Sequence, residues 1–161
     1  MPQPIIAKVR GVAVGAGANL ALASDFVLAS EGARFCEVFV NIGVILDAGG
    51  TYFLPRLVGL ARARELALLG EMVEAKRAAE IGLIYRSLPD QDLDRETENL
   101  AQKLSQKSSL AMALIKEGLE KSLDMTLDEV LEWEAAHQSI MLQTEEHQEA
   151  VRRFLKARGK K

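Results

Sequence analysis

A run of small residues from Gly15 to Ala18 lies between an apolar segment and an apolar helical stretch that continues to Ser24. The first turn of a helix has free backbone N–H groups and the positive end of the helix dipole, and both suit a developing negative charge. Because small residues let another group approach that turn, the pattern indicates a site for an oxyanion. The same residues would also let the helix pack closely on a strand, and the spacing alone favours this second interpretation.

The sequence has few other residues that indicate a nucleotide-binding, nucleophilic or metal-binding site. The glycine pattern lacks the third glycine of the dinucleotide-binding fingerprint, and no Lys-Ser or Lys-Thr pair follows it. Cys36 has no histidine near it in the sequence, which favours a packed thiol over a nucleophile. The spacing of Cys36, His137 and His147 does not match a metal-ligand pattern. No metal site is therefore predicted.

The composition is that of a soluble globular protein. Of the 161 residues, 48% are hydrophobic and 27% are charged, which is enough apolar material for a sizeable core. The net charge of −3 comes from basic and acidic residues mixed along the chain, so nucleic acid is not an expected partner. Without an apolar run of membrane-spanning length, a secretory signal or a second cysteine, the sequence predicts a cytoplasmic location and no membrane partner.

Hydrophobic periodicity predicts alternating strands and helices in the first half and helices alone afterwards. Strands are expected at residues 4–14 (one kinked strand or two short ones around Gly11), 26–30, 33–36 and 83–87. Helices are expected at residues 16–24, 38–42, 49–58, 62–69, 75–81, 93–105, 110–123, 127–143 and 145–157. Pro55 is expected to kink or end the helix that contains it. This order predicts an α/β core followed by a helical appendage.

Two further motifs complete a pattern. NIGVILDAGGT at residues 41–51, followed by LPR, and AAEIGLI at residues 78–84 stand downstream of GVAVGAGANLALASD. In order and spacing these segments resemble the crotonase superfamily, the enoyl-CoA hydratases and isomerases, over nearly the whole chain. The resemblance implies the C-terminal part of a ββα spiral at residues 1–88 and a C-terminal helical trimerisation region at residues 89–161. It also implies an acyl-CoA thioester as the substrate, with no separate cofactor.

The resemblance assigns roles to individual residues. Family members hold the thioester oxygen, as it becomes an enolate, with two backbone N–H groups, and one of these falls on Ala16. Hydratases use two glutamates, but this chain has Asn19 and Phe39 at those positions. Because addition of water usually employs two positioned acid/base groups, hydration is disfavoured, although a hydratase that uses other residues stays an alternative.

Asp47 stands before a small-Gly-Gly sequence, as in the isomerase branch that includes the phenylacetyl-CoA epoxide isomerase. In those relatives the aspartate is the acid/base, so Asp47 and Ala16 are the implied catalytic residues. One carboxylate suffices to move a proton between two carbons while an oxyanion hole holds the charge. Two other interpretations stay open: Asp47 as the N-cap of the next helix, and Asp47 as a nucleophile like that of family dehalogenases.

Several residues are candidates for binding the substrate or supporting Asp47. Glu37 is the second-ranked carboxylate, although its alternation between Phe35 and Phe39 fits a subunit contact or solvent equally well. The C-terminal position of Lys156 resembles the family's basic segment that meets the CoA phosphates, and a solvated basic tail is the alternative. The predicted substrate-binding residues are Gly15, Gly17, Asn19, Phe39, Gly49 and Lys156.

Family members carry a large N-terminal part, with the first strands of the spiral and the other oxyanion N–H, that lies upstream of the segment seen here. The chain is therefore expected to be the C-terminal portion of a crotonase and to be inactive alone. Two hypotheses follow: an enoyl-CoA isomerase in acyl-CoA, fatty acid or phenylacetate metabolism, or a non-catalytic oligomerisation module. Extensive apolar stripes on the C-terminal helices predict a homo-oligomer, a trimer or a hexamer.

Overall fold

The computed structural model describes residues 1–158, which divide into two compact units. One unit comprises Pro4–Lys103, and the other comprises Met1–Gln3 with the chain from Leu104 onward. Strands and helices alternate in the first unit, whereas the second contains helices, as the periodicity predicts. The functional division expected after residue 88 stays a prediction.

The strands of the unit Pro4–Lys103 form two small sheets. They are β1 (Ile6–Val9), β2 (Val12–Val14), β3 (Phe26–Ser30), β4 (Arg34–Cys36), β5 (Val73–Glu74) and β6 (Arg86–Leu88). One sheet has the order β1-β3-β6 and is parallel throughout. The other has the order β2-β4-β5, in which β2 and β4 are parallel and β4 and β5 antiparallel. The bend at Gly11 thus sends β1 and β2 into different sheets.

Four α-helices and a 3₁₀ helix complete this part of the chain. They are α1 (Ala16–Leu22), the 3₁₀ helix Val38–Ile42, α2 (Gly50–Leu69), α3 (Ala75–Glu80) and α4 (Asp90–Ser105). Apolar side chains from the strands and from α1, α2 and α3 form one core, which includes Val27, Phe35 and Leu54. Arg10, just after β1, forms ion pairs with Asp90 and Asp94 of α4. These ion pairs connect the corner between β1 and β2 to α4.

The element bounds differ from the sequence predictions at a few places. The strand expected at 83–87 is β6, Arg86–Leu88. Leu83 and Ile84 are buried, but their backbone N–H groups donate to the carbonyl of Ala78 at the end of α3 and not to a neighbouring strand. The apolar residues there indicated burial, and buried apolar residues occur in turns as well as in strands. The strand β5 was not predicted, because two residues are too few to show an alternating pattern.

Helix α2 continues past Pro55 and bends later, at Gly59, whose backbone has φ 76° and ψ 160°. The two helices predicted at 49–58 and 62–69 are therefore the two arms of α2. A residue with these angles lies in a region of backbone conformation that is essentially restricted to glycine. The bend depends on Gly59 and not on the proline.

The second unit contains α5 (Ser109–Ser122), α6 (Leu127–Met141) and α7 (Glu145–Arg158). The hydroxyl of Ser108 accepts a hydrogen bond from the N–H of Ala111, and Thr126 and Glu129 form a capping box, so α5 and α6 each begin at a side-chain cap. Helices α5 and α6 approach closely where Trp133 covers Gly118. A Cβ at Gly118 would lie 2.6 Å from the Trp133 ring.

Little of the apolar surface of this helical unit is covered within the chain. No residue of α5 or α6 is buried, and Leu119 and Leu127 are 68% and 73% exposed. An open groove of about 980 Å³ runs between the three helices, with Leu114, Val130 and Trp133 in its lining. The helices found within residues 1–158 are all too short or too polar to cross a membrane.

The bend in α2 yields a matched pair of glycine substitutions. At both Gly59 and Gly17 a Cβ would meet open space, but only Gly59 has a positive φ. We expect Gly59→Ala to lower the free energy of unfolding by about 1–3 kcal/mol because of backbone strain alone. Gly17→Ala, in a regular helix, should raise it by less than about 1 kcal/mol. Urea denaturation of both variants at one protein concentration measures this, and equal effects would contradict the assignment of the bend.

Candidate active site

In the glycine-rich turn, the first residue is packed against other side chains, and the next two are exposed to solvent. Gly15 is buried, and a Cβ there would lie 3.4 Å from the ring of Phe39 and 3.5 Å from Val38. Ala16 and Gly17 are exposed, and nothing lies within 4 Å of a Cβ placed on Gly17. Close packing, which the spacing favoured, therefore explains Gly15 only.

The first turn of α1 has no side-chain cap. Its first intrahelical bond runs from the N–H of Asn19 to the carbonyl of Gly15 at 3.0 Å. The N–H groups of residues 16 to 18 precede that bond, and in any α-helix such groups lack an intrahelical acceptor. The exposed Ala16 thus presents the kind of donor that an oxyanion requires.

Asn19, in the same turn, is completely buried and connects two other segments. Its side-chain Nδ2 donates to the backbone carbonyl of Asp47 at 2.9 Å and to Oε2 of Glu37 at 3.3 Å. Its Oδ1 is buried without a hydrogen-bond partner. Gly50 packs against the amide so closely that a Cβ there would lie 2.5 Å from Nδ2. Asn19 therefore joins the glycine turn, the end of β4 and the start of α2.

The segment that carries Asp47 is a tight turn. The carbonyl of Asp47 accepts a second hydrogen bond, from the N–H of Gly50 at 2.9 Å. Ala48 has φ 47°, the one positive φ of a non-glycine residue within 1–158, and Gly49 has φ 86°. Gly49 is the N-cap of α2 and no side chain caps this helix, so Asp47 is not its N-cap. The Asp47 side chain is exposed, which leaves its carboxylate available for chemistry.

Among the buried residues of the described part of the chain, Glu37 is the one acidic or basic side chain, and 5% of its surface is exposed. Burial raises the pKa of its carboxyl to about 7, the hydrogen bond from Asn19 opposes this rise, and the charge of Asp47 adds to it. The alternative that placed Glu37 in solvent is wrong for this chain. Phe35, Cys36, Glu37 and Phe39 are all buried, and Phe39 lies in the 3₁₀ helix, so an alternating pattern could not have placed Glu37.

Most of the predicted site residues lie together in the unit Pro4–Lys103. Gly15, Asn19 and Phe39 are buried, whereas Ala16, Gly17, Asp47 and Gly49 are exposed. Lys156 lies on α7 in the other unit, where its side chain is exposed. Cys36 is buried and its thiol donates to the carbonyl of Gly70, an arrangement of a packed residue. The roles assigned to these residues stay predictions.

This cluster can support proton transfer beside a carbonyl group. A solvent-accessible carboxylate, Asp47, and an exposed helical N–H, Ala16, lie on two segments that the buried Asn19 holds together. A base and a hydrogen-bond donor for the developing oxyanion are the two groups that enolate formation requires. Within residues 1–158 no group of three or more His, Cys, Asp and Glu side chains is arranged to hold a metal ion.

The fold and this cluster define a class of protein. The model of the enoyl-CoA hydratase/isomerase family matches residues 1–161, so the chain belongs to that family. A crystal structure of an enoyl-CoA hydratase/isomerase from Cupriavidus metallidurans superimposes with a TM-score of 0.93 at 36% identity, covering 97% of this chain and 59% of that one. The predicted crotonase-type α/β fold with C-terminal helices is confirmed.

Individual relatives carry the names of both reactions. A probable enoyl-CoA hydratase of Rhodobacter capsulatus is 52% identical over 93 residues, which is 58% of this chain and 36% of that protein. The 1,2-epoxyphenylacetyl-CoA isomerase of Escherichia coli is 46% identical over 102 residues, 63% of this chain and 39% of that protein. The chain thus spans well under two thirds of the length of these relatives. Membership establishes the family and not one of its reactions.

The buried carboxyl of Glu37 makes stability depend on pH. The folded chain holds this proton with a pKa of about 7 against an ordinary value of 4.5, so stability is lost as the pH rises through that window. Glu37→Gln has no such proton to lose. We expect it to match the parent chain at about pH 4.5 and to exceed it by about 1–3 kcal/mol at about pH 8. Denaturant titrations at both pH values test this, and a variant that is less stable at the higher pH would contradict the burial of the ionised group.

Proposed function

We propose that the chain contributes the proton-transfer half of an acyl-CoA isomerase site, in which Asp47 is the acid/base and the N–H of Ala16 is one oxyanion donor. The observation that carries the proposal is the pairing of an exposed Asp47 with an uncapped helical turn through the buried Asn19. The similarity to the Escherichia coli epoxyphenylacetyl-CoA isomerase supports an acyl-CoA substrate. The acyl-CoA enters as the substrate, and no separate cofactor is included in the proposal.

In this mechanism Asp47 removes a proton from the carbon between the thioester carbonyl and the double bond of a 3-enoyl-CoA, which gives a dienolate, and returns it to the far carbon of the former double bond, which gives the conjugated 2-enoyl-CoA. The thioester oxygen gains negative charge as the proton leaves, and the Ala16 N–H and the dipole of α1 stabilise that charge. Asn19 and Phe39 occupy the positions at which hydratases carry their two glutamates, and neither side chain can exchange a proton with water or carbon. One acid/base group that returns the same proton is enough for a double-bond shift.

Hydration is the second candidate, and one observation favours it. Glu37 supplies a second carboxyl group, hydrogen-bonded to Asn19, in the same cluster as Asp47. Addition of water to a double bond usually employs two acid/base groups. However, Glu37 is 5% exposed, and a buried carboxyl has poor access to a nucleophilic water, so the isomerase is preferred.

A single assay distinguishes these reactions. A 3-enoyl-CoA is incubated with the full chain, alone and together with an N-terminal family segment supplied as a second polypeptide. We expect conversion to the conjugated 2-enoyl-CoA, without addition of water, in the complemented sample and none with the chain alone. A product heavier by one water would favour the hydratase, and no turnover in either sample would favour a non-catalytic module.

Substitution of Asp47 tests its role directly. Asp47→Asn keeps the shape of the side chain and removes its basicity, so isomerisation in the complemented sample should fall by about 10²- to 10⁴-fold while acyl-CoA binding changes little. Glu31→Gln, an exposed carboxylate on the turn after β3, is the matched control and should leave the rate unchanged. Near-parental turnover of Asp47→Asn would remove Asp47 from the mechanism.

We also propose that the helical unit assembles the chain into a homo-oligomer, a trimer or a multiple of three. Leu119, Leu127 and Leu131 are 68%, 73% and 52% exposed, and apolar surface of this extent favours a protein contact over water. Light scattering at low micromolar concentration should give a mass that is a multiple of three chains, and Leu119→Glu should lower it. Leu68→Glu, on a 67% exposed leucine of α2, is the control. A single species at 17.6 kDa would contradict the assembly.

A further inference from the structure

Glu37 is a buried carboxyl that the proposed mechanism does not use. A buried carboxyl costs free energy unless its partners compensate for the lost water. Within residues 1–158 no Lys, Arg or His forms an ion pair with it, and the one hydrogen bond to its side chain comes from the Nδ2 of Asn19. An amide side chain at this position would accept that bond at a lower cost. The presence of a carboxyl group instead of an amide at this position therefore suggests a role for its ability to gain and lose a proton.

Asn19 transmits the state of Glu37 to the Asp47 turn. One amide group donates both to the Glu37 carboxyl at 3.3 Å and to the Asp47 carbonyl at 2.9 Å. A primary amide nitrogen has two N–H donors, so a single orientation of the side chain satisfies both acceptors. The opposite orientation would place Oδ1 against two oxygen acceptors, which an ionised Glu37 excludes.

The two protonation states of Glu37 make different demands on that amide. A carboxylate only accepts hydrogen bonds, whereas a neutral carboxyl also has an O–H to donate. The Oδ1 of Asn19 is a buried acceptor without a partner, and a buried unsatisfied acceptor is costly. If the amide turns over, Oδ1 can accept the proton of a neutral Glu37, but the Asp47 carbonyl then loses its side-chain donor.

We propose that Glu37 is a positioning residue of the site: as a carboxylate it keeps the Asn19 amide oriented so that Nδ2 holds the Asp47 carbonyl, and on protonation it releases that hold. The turn that is held is the one with positive φ at Ala48 and Gly49, which the Asn19 bond helps to maintain. The inference rests on the proposed function only for its effect on catalysis, through the placement of the Asp47 carboxylate.

The groups around Glu37 support the assignment of the pH-dependent change to Glu37 itself. From α1 the facing side chain is the uncharged Asn19, and from the turn before α2 it is Asp47, whose charge raises the pKa of Glu37. The adjacent Cys36 donates its thiol to the carbonyl of Gly70, and burial and the charge of Glu37 raise its pKa. Ionisation of Glu37 with a pKa of about 7 places the change of state in the neutral range.

A pH titration of the isotope-labelled full chain followed by NMR tests the coupling. Between about pH 5 and about pH 9, the side-chain amide of Asn19 and the backbone amides of Gly49 and Gly50 should shift together, with the midpoint of the Glu37 carboxyl carbon. In Glu37→Gln this shared midpoint should disappear while the turn stays folded. Glu31→Gln should leave it unchanged.

A second variant separates transmission from direct contact. In Asn19→Ala the Glu37 carboxyl should still titrate, at a higher midpoint because a hydrogen bond that lowers its pKa is lost, but the Gly50 amide should no longer follow it. If the Gly49 and Gly50 amides do not titrate in the parent chain, or titrate unchanged in Glu37→Gln, the proposal is wrong.

Kinetics in the complemented assay distinguish failure of this inference from failure of the proposed function. We expect kcat of the parent protein to rise through the neutral range and the profile of Glu37→Gln to lack this inflection, with KM unchanged. Turnover that depends on Asp47 but keeps the inflection in Glu37→Gln would overturn the positioning role alone. Coupled titrations without any turnover would overturn the isomerase and leave the coupling intact.

Discussion

The candidate site depends on one hydrogen bond, from the buried amide of Asn19 to the backbone carbonyl of Asp47. It joins the first turn of a short helix to a turn whose backbone is unfavourable for an alanine at position 48. A Cβ at Gly50 would lie 2.5 Å from Nδ2 of Asn19, so a larger residue there would displace the amide. The segments that carry Asp47 and Ala16 are therefore joined through a completely buried side chain, which is the arrangement expected of a preorganised site.

The same amide explains why the site contains a costly neighbour. Burial of Glu37 lowers stability in the pH range in which its charge orders Asn19, so stability and organisation of the turn oppose each other. A Gln at this position would relieve that cost but would fix the amide without regard to pH. Strain and unsatisfied groups of this kind are common at functional sites, and here they coincide at Asn19, Glu37 and Ala48.

Local patterns were enough to predict most of the elements. β3 runs over Phe26–Ser30 as predicted because a buried parallel strand is a continuous apolar run. β6 was misplaced because Leu83 and Ile84 are buried without pairing, and the bend in α2 was attributed to Pro55 because backbone angles at Gly59 leave no trace in periodicity. Within the site, the family motifs predicted Asp47 and Ala16. The Asn19 bonds join residues 18 and 28 positions apart, and no spacing rule gives such contacts from one sequence.

The parallel sheet β1-β3-β6 also determines how this part of the chain can fold. Its neighbours are far apart in sequence: Leu28 in β3 pairs with Lys8 in β1 and with Arg86 in β6. Such pairings require closure of long loops, and the loss of chain entropy comes before the strand contacts can offset it, which slows folding. The helices after residue 104, in contrast, form through contacts between residues close in sequence. The contact order therefore differs between the two units. We therefore expect the sheet, and with it the Asn19–Asp47 bond of the same unit, to form more slowly than the individual helices.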